Sequence, residues 1–466
     1  MDLDLLVIGS GPGGQRAAIQ AAKLGKRVGM VERRERVGGV SLHTGTVPSK
    51  TLRQAIIEDI ASRGIDLPDP LHPERHEVAS AEFLRDRTAR VIAQETAVVR
   101  DQLRRNHVGL LMGDASFVDE HTVLVRDLVG GAADTTVTAA NIVIAVGTKP
   151  SRPKDVAFDE RRIIDSDGIL RLETHVPRTM TVVGAGVIGV EYTSMFAAMG
   201  TRVTLVDARP KLMPYLDREI AIALRFLLGK RNVTFRFNEE VVGVDRVEGR
   251  AITHLASGKQ ISSHTLLYAT GRQGATEGLG LENAGLSADA RGRIDVDATY
   301  RTAKRHIFAV GDVAGPPGLA ATSMEQGRLA ALHAFNEPVM QLPELVPVGI
   351  YAIPEISYVG RTEEELTAAA VPYVVGIARW SELAKALMMN EEDGLLKILV
   401  SPEDKSLLGV HIIGQQATDL VHIGQALMGR ENALDFLLSA VFNYPTLAEA
   451  YKVAGLDAFN RMRDLM

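Results

Sequence analysis

The stretch LDLLVIGSGPGG, Leu3 to Gly14, decides the fold of the first part of the chain. Its apolar, strand-like run ends in a GxGxxG turn, and a helical pattern follows from Gln15 to Leu24. Glycines in such a turn let the main chain approach a pyrophosphate, which then lies at the positive N-terminus of the helix. Glu32, 18 residues after Gly14, is suited to bind a ribose. The stretch predicts a βαβ unit that binds a dinucleotide through Gly9, Gly11, Gly14 and Glu32.

A second copy of this pattern lies in the middle of the chain. The apolar run Met180–Val183 leads into GAGVIG, residues 184–189, and Asp207 follows Gly189 at the same spacing of 18 residues. One GxGxxG is often only a glycine turn, but two copies with matching strands and matching acidic residues are a specific signal. We therefore predict a second dinucleotide site, formed by Gly184, Gly186, Gly189 and Asp207.

Composition excludes several classes of function. The 466 residues include no cysteine, which excludes disulfides, thiolate nucleophiles, zinc-thiolate sites and iron-sulfur clusters. The twelve histidines show no ligand spacing, so we predict no metal site. A net charge of −6 without a basic stripe predicts no nucleic-acid partner. No apolar stretch approaches the roughly 18 residues of a membrane span, and no signal peptide precedes the first strand, so we predict a cytoplasmic protein without membrane contact.

The order of the patterns predicts an α/β fold with two Rossmann-like domains and a C-terminal α+β domain. We expect boundaries that give domains at residues 1–148, 149–272, 273–342 and 343–466, the third completing the first cofactor site. In the first domain, beyond the first turn and helix, we predict a strand at Arg27–Val31, a helix from near Pro48, a loop at Leu67–His76, a helix at Ala81–Asn106 and a strand at Ile142–Thr148. A linker at Lys149–Pro153 leads to a second Rossmann unit, which runs from about Thr179 to a strand at Thr265–Thr270. The remaining predicted elements are a strand and turn at Ile307–Asp312, a helix at Leu319–Ala334, strands at Leu395–Val400 and Gly409–Ile413, and helices at Ala417–Met428 and Thr446–Met462.

Five segments together resemble the pyridine nucleotide-disulfide oxidoreductases. They are Gly9–Gly14, Gly38–Lys50, Gly184–Glu191, Gly311-Asp312 and Tyr444–Thr446. The resemblance covers essentially the whole chain and is strongest to the soluble, FAD-dependent pyridine nucleotide transhydrogenases. It implies that the first Rossmann unit binds FAD, that the second binds NAD(H) or NADP(H), and that the C-terminal domain forms a homodimer.

The chain departs from that family at the positions of its redox chemistry. In the disulfide enzymes, Ser41 and Thr46 would both be cysteines, and Tyr444 would be the histidine that shuttles protons to the dithiol. In the similar transhydrogenases the position of Thr46 already lacks a cysteine, whereas that of Ser41 often keeps one. Neither a hydroxyl nor a phenol can replace the dithiol as a two-electron carrier. The two-electron carriers that this chain can use are therefore flavin and nicotinamide.

The resemblance implies that Lys50 and Glu191 are the catalytic pair. Lys50 would lie near flavin N5, pair with Glu191 and stabilise negative charge on the reduced flavin. The alternative is a solvent-exposed lysine, although the first turn of a helix disfavours cations. Thr46 has a structural interpretation, because a hydroxyl residue just before Pro48 is typical of a helix N-cap.

Further residues are assigned to the cofactors by resemblance. Asp312 would contact the flavin ribityl chain, and the following helix would direct its N-terminus at the flavin O2 edge; the alternative is a simple Gly-Asp turn. The other cofactor contacts implied are Ala115, Gly147 and Gly271. Tyr444 and Glu449 have no dithiol to serve, so we expect a packed core tyrosine and a structural carboxylate.

The segment after the second acidic residue carries the information on nucleotide selectivity. Asp207 suits a ribose 2′-hydroxyl and repels a 2′-phosphate, whereas Arg209 and Lys211 offer cations to that phosphate. The two cations could equally belong to a solvated loop. Use of both nucleotides is what a transhydrogenase needs.

These observations predict an enzyme that moves hydride between NADPH and NAD+ by double displacement. Hydride would pass from nicotinamide C4 to flavin N5, and the second nicotinamide would remove it at the same site. An NAD(P)H:quinone or other acceptor reductase needs the same flavin and also no thiols. A redox-sensing flavoprotein without turnover is the alternative from another class.

Overall fold

The computed structural model describes residues 1–62, 81–128, 133–171, 176–339 and 345–463. The loop predicted at Leu67–His76 and the domain boundary predicted between residues 342 and 343 lie outside these residues. Three sheets of five or more strands organise the described part. In this part of the chain, no helix is both long and apolar enough to cross a membrane.

The first sheet carries the first GxGxxG turn. Its elements are β1 Leu3–Ile8, α1 Pro12–Lys23, β2 Val28–Glu32, α2 Gly39–His43, α3 Thr46–Ser62, α4 Ala81–Arg105, β3 Gly109–Met112, β4 Asp114–Phe117, β5 Thr122–Arg126 and β6 Thr135–Ile144. The order is β3-β2-β1-β6, all parallel, and β5 and β4 continue antiparallel from the first half of β6. Leu5 and Val7 enter one core cluster while Leu6 and Ile8 enter another, because alternate side chains of a strand point to opposite faces.

The second sheet carries the second turn. Its region contains β7 Thr148–Pro150, β8 Ile163–Asp165, β9 Thr179–Val183, α5 Val187–Ala198, β10 Arg202–Asp207, α6 Arg218–Lys230, β11 Thr234–Phe237, β12 Val241–Val247, β13 Arg250–Leu255, β14 Gln260–Ser263, β15 Thr265–Tyr268 and β16 Arg272–Gly274. Five strands run parallel in the order β11-β10-β9-β15-β8. The prediction that this unit begins at about Thr179 was therefore wrong, since β8 precedes it. The predicted linker is also partly a strand, because β7 pairs with β16.

The chain then returns to the first sheet. β17 Ile307–Ala309 pairs in parallel with β6, and α7 Ala320–Ala334 follows a short 3₁₀ turn at Gly311–Val313. Helix α7 packs closely on α1: a Cβ at Gly327 would lie only 2.0 Å from the carbonyl oxygen of Gly13. This crossing requires glycine and brings α7 against the first GxGxxG turn.

The C-terminal region forms an antiparallel sheet with helices, as predicted. Its elements are β18 Val348–Ile350, β19 Ile356–Gly360, α8 Glu363–Ala368, β20 Val374–Arg379, α9 Ala384–Met388, β21 Leu395–Val400, β22 Leu407–Ile413, α10 Ala417–Leu427, α11 Ala433–Ser439 and α12 Glu449–Arg463. The strand order is β18-β19-β22-β21-β20. Helix α12 packs along this sheet, and its Tyr451 is fully buried.

Several element ends differ from the prediction. Helix α1 begins at Pro12 instead of Gln15. Proline suits the first turn of a helix, because the backbone N–H groups there have no acceptor within the helix and the missing N–H of proline costs no hydrogen bond. Strand β6 ends at Ile144, before Gly147 turns the chain with a φ of +66°. Helix α3 begins at Thr46, so Thr46 is the first helical residue and not the N-cap. Helix α12 begins at Glu449, three residues after the predicted start.

Candidate functional site

The first glycine turn is shaped as the sequence predicts. Gly9 has a φ of +105°, and a Cβ there would lie 2.4 Å from the carbonyl oxygen of Ala145. A Cβ at Gly14 would lie 2.0 Å from the carbonyl oxygen of Gly9. Gly11, by contrast, has nothing within 4 Å of an added Cβ. Two glycines are therefore required by the protein's own packing, and the third borders open space where a pyrophosphate fits.

The second turn repeats this arrangement. A Cβ at Gly184 would lie 2.5 Å from the carbonyl oxygen of Ala269, and one at Gly189 would lie 1.9 Å from that of Gly184. Gly186 again has nothing within 4 Å. The two turns thus provide two similar cradles, each open at its middle glycine.

Glu32 is held against the first turn. It is buried at the end of β2, where one carboxylate oxygen accepts the Ser10 N–H at 3.1 Å and also the Ser10 hydroxyl. The other oxygen accepts the Arg34 N–H at 2.8 Å. The Ser10 hydroxyl oxygen in turn accepts the Gly38 N–H at 2.8 Å. Ser10 was missed by the sequence reasoning because it is a variable position of the motif.

Asp207 occupies the equivalent position in the second unit. Its Oδ2 accepts the N–H of Ala185 at 2.5 Å, as Glu32 accepts that of Ser10. Arg209 donates to the same carboxylate from Nε at 2.9 Å and from Nη2 at 2.7 Å. Burial raises the pKa of Asp207, but the hydrogen bonds from Arg209 and Ala185 outweigh burial and hold the pKa below its usual value.

The selectivity segment therefore presents a paired charge. Asp207 neutralises Arg209 and raises the pKa of its guanidinium, while the arginine side chain stays 44% exposed. Lys211 is exposed. The segment thus holds a carboxylate and a guanidinium in contact, which are the groups that bind a ribose hydroxyl and a phosphate in other proteins.

Lys50 and Glu191 meet between the two dinucleotide units. Lys50 is in the second turn of α3, and Glu191 is in α5 directly after the second glycine turn. Lys50 Nζ donates to both carboxylate oxygens, at 2.9 and 2.8 Å. The side chain of Glu191 is 5% exposed and that of Lys50 is 25% exposed. The predicted contact is confirmed, across 141 residues of sequence.

A third residue completes this pair and was missed by the sequence reasoning. Tyr351, just after β18, donates its backbone N–H to Glu191 Oε1 at 2.8 Å. The centre of its ring lies 4.8 Å from Lys50 Nζ. Tyr351 belongs to no motif of the chain, so no sequence signal identifies it.

Three further positions predicted to contact a cofactor, Gly147, Gly271 and Asp312, lie near one another. The Thr148 hydroxyl donates to Asp312 Oδ2 at 3.2 Å. Arg272 donates from Nε to the Thr148 hydroxyl at 2.9 Å and from Nη2 to its carbonyl at 3.0 Å. Gly147 and Gly271, next to these residues, have φ values of +66° and +126° and open space beside them. The two glycines and Asp312 therefore lie around one junction, at the strands β7 and β16.

One of the two positions where the disulfide enzymes have a redox cysteine lies close to Lys50. Thr46 is exposed and stands one helical turn before Lys50, so both side chains share a face of α3. Ser41 is half-buried in α2. Ala115 packs in the core of the first sheet, so a cofactor contact at this position would come mainly from its main chain.

Tyr444 is not the packed core tyrosine that we expected. Its side chain is 72% exposed, on a segment where Val441 is 98% exposed. The Tyr444-Pro445 peptide bond in this segment is cis. Glu449 Oε2 is buried and has no hydrogen-bond partner among the described residues.

The described residues contain no cluster of histidine, aspartate and glutamate that could hold a metal ion. The arrangement offers two glycine turns, each with a buried carboxylate against it, and between the two turns the ammonium of Lys50, which contacts the Glu191 carboxylate and the Tyr351 ring. It can bind two dinucleotides and stabilise negative charge where they meet.

Comparison with known proteins agrees with this geometry. The family model described as pyridine nucleotide-disulphide oxidoreductase matches residues 3–327, and the dimerisation domain of the same family matches residues 346–454. The soluble pyridine nucleotide transhydrogenase of Mycobacterium tuberculosis is 54% identical over 464 residues, covering 100% of this chain and 98% of the relative. The protein of that name in Yersinia pestis is 45% identical over 466 residues, with 98% of each chain covered.

Two solved structures have the same fold. The HOCl-induced flavoprotein disulfide reductase RclA from Escherichia coli superposes with a TM-score of 0.87 at 25% identity, covering 97% of this chain and 99% of its own. LpdA from Mycobacterium tuberculosis superposes with a TM-score of 0.88 at 24% identity, with 99% of both chains covered.

Proposed function

Because the chain belongs to the pyridine nucleotide-disulphide oxidoreductase family, we propose that it is an FAD-dependent pyridine nucleotide transhydrogenase that moves hydride between NADPH and NAD+ without a redox disulfide. One observation carries the proposal. Two dinucleotide cradles meet at the Lys50–Glu191 pair in a chain that has no cysteine. Relatives that match the whole chain and carry the transhydrogenase name support it.

The first cradle suits FAD. Gly9, Gly11 and Gly14 would hold the pyrophosphate, Glu32 the adenosine ribose, and Asp312 the ribityl chain. The N-terminus of α7 would place its positive end near the flavin ring. FAD, when bound, supplies a two-electron carrier that accepts hydride from one nicotinamide and returns it to another.

Lys50 is the residue that stabilises charge in this reaction. Its ammonium is fixed by both oxygens of Glu191, so it needs little reorganisation when negative charge develops nearby. Glu191 keeps the lysine side chain in place from the start of α5, next to the nicotinamide nucleotide cradle. Transfer of hydride needs no proton from the protein, so Tyr444 has no chemical step to perform.

The second cradle binds both nicotinamide nucleotides. Gly184, Gly186 and Gly189 would hold their pyrophosphate. Asp207 binds the ribose 2′-hydroxyl of NAD(H), and Arg209 turns to the 2′-phosphate of NADP(H). Contacts with the hydroxyl and with the phosphate can both form, because Asp207 and Arg209 lie side by side and Arg209 is half-exposed.

The proposal includes a homodimer in the cytoplasm, with nicotinamide dinucleotides as substrates and no nucleic-acid partner. The dimerisation-domain match at residues 346–454 supports self-association. So do large apolar side chains left exposed on that domain, which need a covering surface. They are Leu387, Met388, Phe436, Val441 and Tyr444.

We place the domain boundaries near residues 148, 272 and 342. Strands β7 and β16 lie at the first two of these boundaries, and their pairing supports both.

A direct assay tests the function. The FAD-loaded protein is mixed with NADPH and a spectrally distinct NAD+ analogue, and the same preparation is run against a panel of quinones and oxygen. We expect nicotinamide exchange to be fastest, with parallel initial-rate plots of a double displacement. Quinone turnover an order of magnitude above nicotinamide exchange would instead make the protein a quinone reductase. Nucleotide binding without any turnover would make it a sensor.

A further inference from the structure

The segment from Tyr351 to Glu355 joins the C-terminal domain to both helices that carry the Lys50–Glu191 pair. Toward α5, the Ile353 N–H donates to the Ser194 hydroxyl oxygen at 2.9 Å, and that hydroxyl donates to the backbone carbonyl of Glu191 at 2.7 Å. Toward α3, Arg53 Nε donates to the Ala352 carbonyl at 2.9 Å. This five-residue segment therefore contacts both helices that carry the pair.

A buried ion pair fixes the end of this segment. Arg53 Nη1 lies 3.0 Å from Glu355 Oε1, and the two side chains are only 7% and 11% exposed. Glu355 Oε2 also accepts the hydroxyl and the N–H of Thr418, at 2.9 and 3.2 Å. Removing either partner of such a pair leaves a buried charge without compensation, so the pair resists separation. Arg53 is three residues after Lys50 on α3, which ties the segment to the helix turn that holds the lysine.

Tyr351, at the other end of the segment, contacts both members of the catalytic pair. Its N–H occupies Glu191 Oε1, which limits rotation of the carboxylate. The face of its ring lies 4.8 Å from Lys50 Nζ, within the range of a cation–π contact. The ring covers part of an ammonium that would otherwise be hydrated, and Lys50 keeps only a quarter of its side chain exposed.

We propose that Tyr351 is a positioning residue for hydride transfer, which orients Glu191 through its N–H and shields Lys50 with its ring, and that the Arg53–Glu355 pair holds Tyr351 in place. The proposal rests on the proposed flavin site beside Lys50. It makes the C-terminal domain part of the site and not only an assembly surface.

Tyr351→Leu, Tyr351→Phe and the wild type are compared as FAD-loaded proteins. Tyr351→Leu loses the ring but keeps the N–H, so the ammonium becomes more hydrated and stabilises the reduced flavin less. We expect the rate constant of flavin reduction by NADPH in a single turnover to fall roughly tenfold, with nucleotide affinity unchanged within about twofold. A tenfold weaker equilibrium for reduction would lower the flavin midpoint potential by about 30 mV. Tyr351→Phe keeps the ring and should match the wild type.

Two further variants keep the test decisive. Tyr373→Leu removes a tyrosine of the same domain that contacts Thr367 and Glu363, and it should change neither the potential nor the reduction rate. Ser194→Ala removes the acceptor of the Ile353 N–H without touching Lys50, and it should lower both quantities even if Tyr351→Leu fails to fold.

An unchanged potential and reduction rate in Tyr351→Leu would overturn the inference. If that variant does not fold, unchanged values in Ser194→Ala would do so. Equal losses in Tyr351→Phe and Tyr351→Leu would also overturn it, because they would exclude the ring as the cause. Both readouts use only NADPH and the flavin. A preference for quinones as acceptor would therefore defeat the proposed function and leave this inference standing, whereas failure of the wild type to bind FAD would defeat both.

Discussion

Arg209 donates two side-chain hydrogen bonds to Asp207, from Nε at 2.9 Å and from Nη2 at 2.7 Å, at the end of β10, the strand that follows α5. The carboxylate that would select NADH therefore also restrains the cation that would select NADPH. Removing one of them releases the other, so in the proposed function one pair, and not two separate contacts, would discriminate the two nucleotides.

Asp207→Ala should shift the preference toward NADPH. The change removes the partner of the NADH ribose, lifts repulsion of the 2′-phosphate and frees Arg209. A charged contact is worth about 1 to 3 kcal/mol, so the ratio of kcat/KM for NADPH over NADH should rise roughly 10- to 100-fold. Arg209→Met is the matched control and should shift the ratio the other way. An unchanged ratio in both variants would mean that the ribose is read elsewhere.

Gly11→Ala should separate cofactor binding from folding. A Cβ at Gly11 meets no protein atom within 4 Å, so the variant should keep its thermal stability but lose bound FAD, because the methyl group enters the space of the pyrophosphate. Gly14→Ala is the contrast, since its Cβ would lie 2.0 Å from the Gly9 carbonyl oxygen and should destabilise the fold itself. The measurements are FAD content and thermal unfolding. Normal FAD content in Gly11→Ala would argue against this cradle.

The flavin should be the only redox centre. With Ser41 and Thr46 in place of cysteines, each non-covalently held FAD should take up two electrons, and no long-wavelength charge-transfer band from a thiolate should appear. An anaerobic titration monitored by absorbance measures both. Uptake of four electrons per FAD would contradict the prediction, as would a flavin that denaturation cannot release.

Tyr444→Phe should leave transhydrogenation nearly intact. Tyr444 is exposed on the single chain, and the proposed hydride transfer uses no proton from its hydroxyl. The steady-state rate with NADPH and an NAD+ analogue is the measurement, together with the oligomeric state. Loss of exchange in a variant that remains folded and dimeric would show that this position takes part in the chemistry.

Lys397→Met should destabilise the contact between the second and third sheets. Lys397 Nζ is fully buried and donates to both oxygens of Asp217, at 2.9 and 3.0 Å, and also to Glu363. Its loss leaves the buried carboxylate of Asp217 without its cation, which costs about 3 to 5 kcal/mol. Denaturant unfolding measures this loss, and a change below about 1 kcal/mol would contradict it.

The same cluster has a defined pH dependence. Burial raises the pKa of Asp217, but Lys397 and the neighbouring groups outweigh burial and hold the pKa below its ordinary value. The stability from this depressed pKa is therefore fully present above about pH 4, the unfolded value, and is lost as the pH falls through the folded value. Lys397→Met should weaken this acid dependence.

The local parts of the two glycine-turn units could be predicted from the amino-acid sequence. The two GxGxxG turns, the strands before them, and Glu32 and Asp207 after them depend on short-range sterics and on side-chain periodicity, which a sequence displays directly. The absence of cysteine likewise excludes a redox dithiol without any need for a structure. Element ends shifted by a few residues, as at Pro12 and Thr46, because the last turn of an element depends on its neighbours.

The way these parts are combined depends on contacts between segments that are distant in the sequence. The contact of Lys50 with Glu191 spans 141 residues, and the predicted pairing came from family resemblance and not from local pattern. Tyr351 had no signal at all, because its role depends on a backbone N–H and on a ring brought from a third sheet. The burial of Tyr444 was predicted wrongly for the same reason. A side chain's surroundings are set by the packing of distant segments, which no periodicity within one segment encodes.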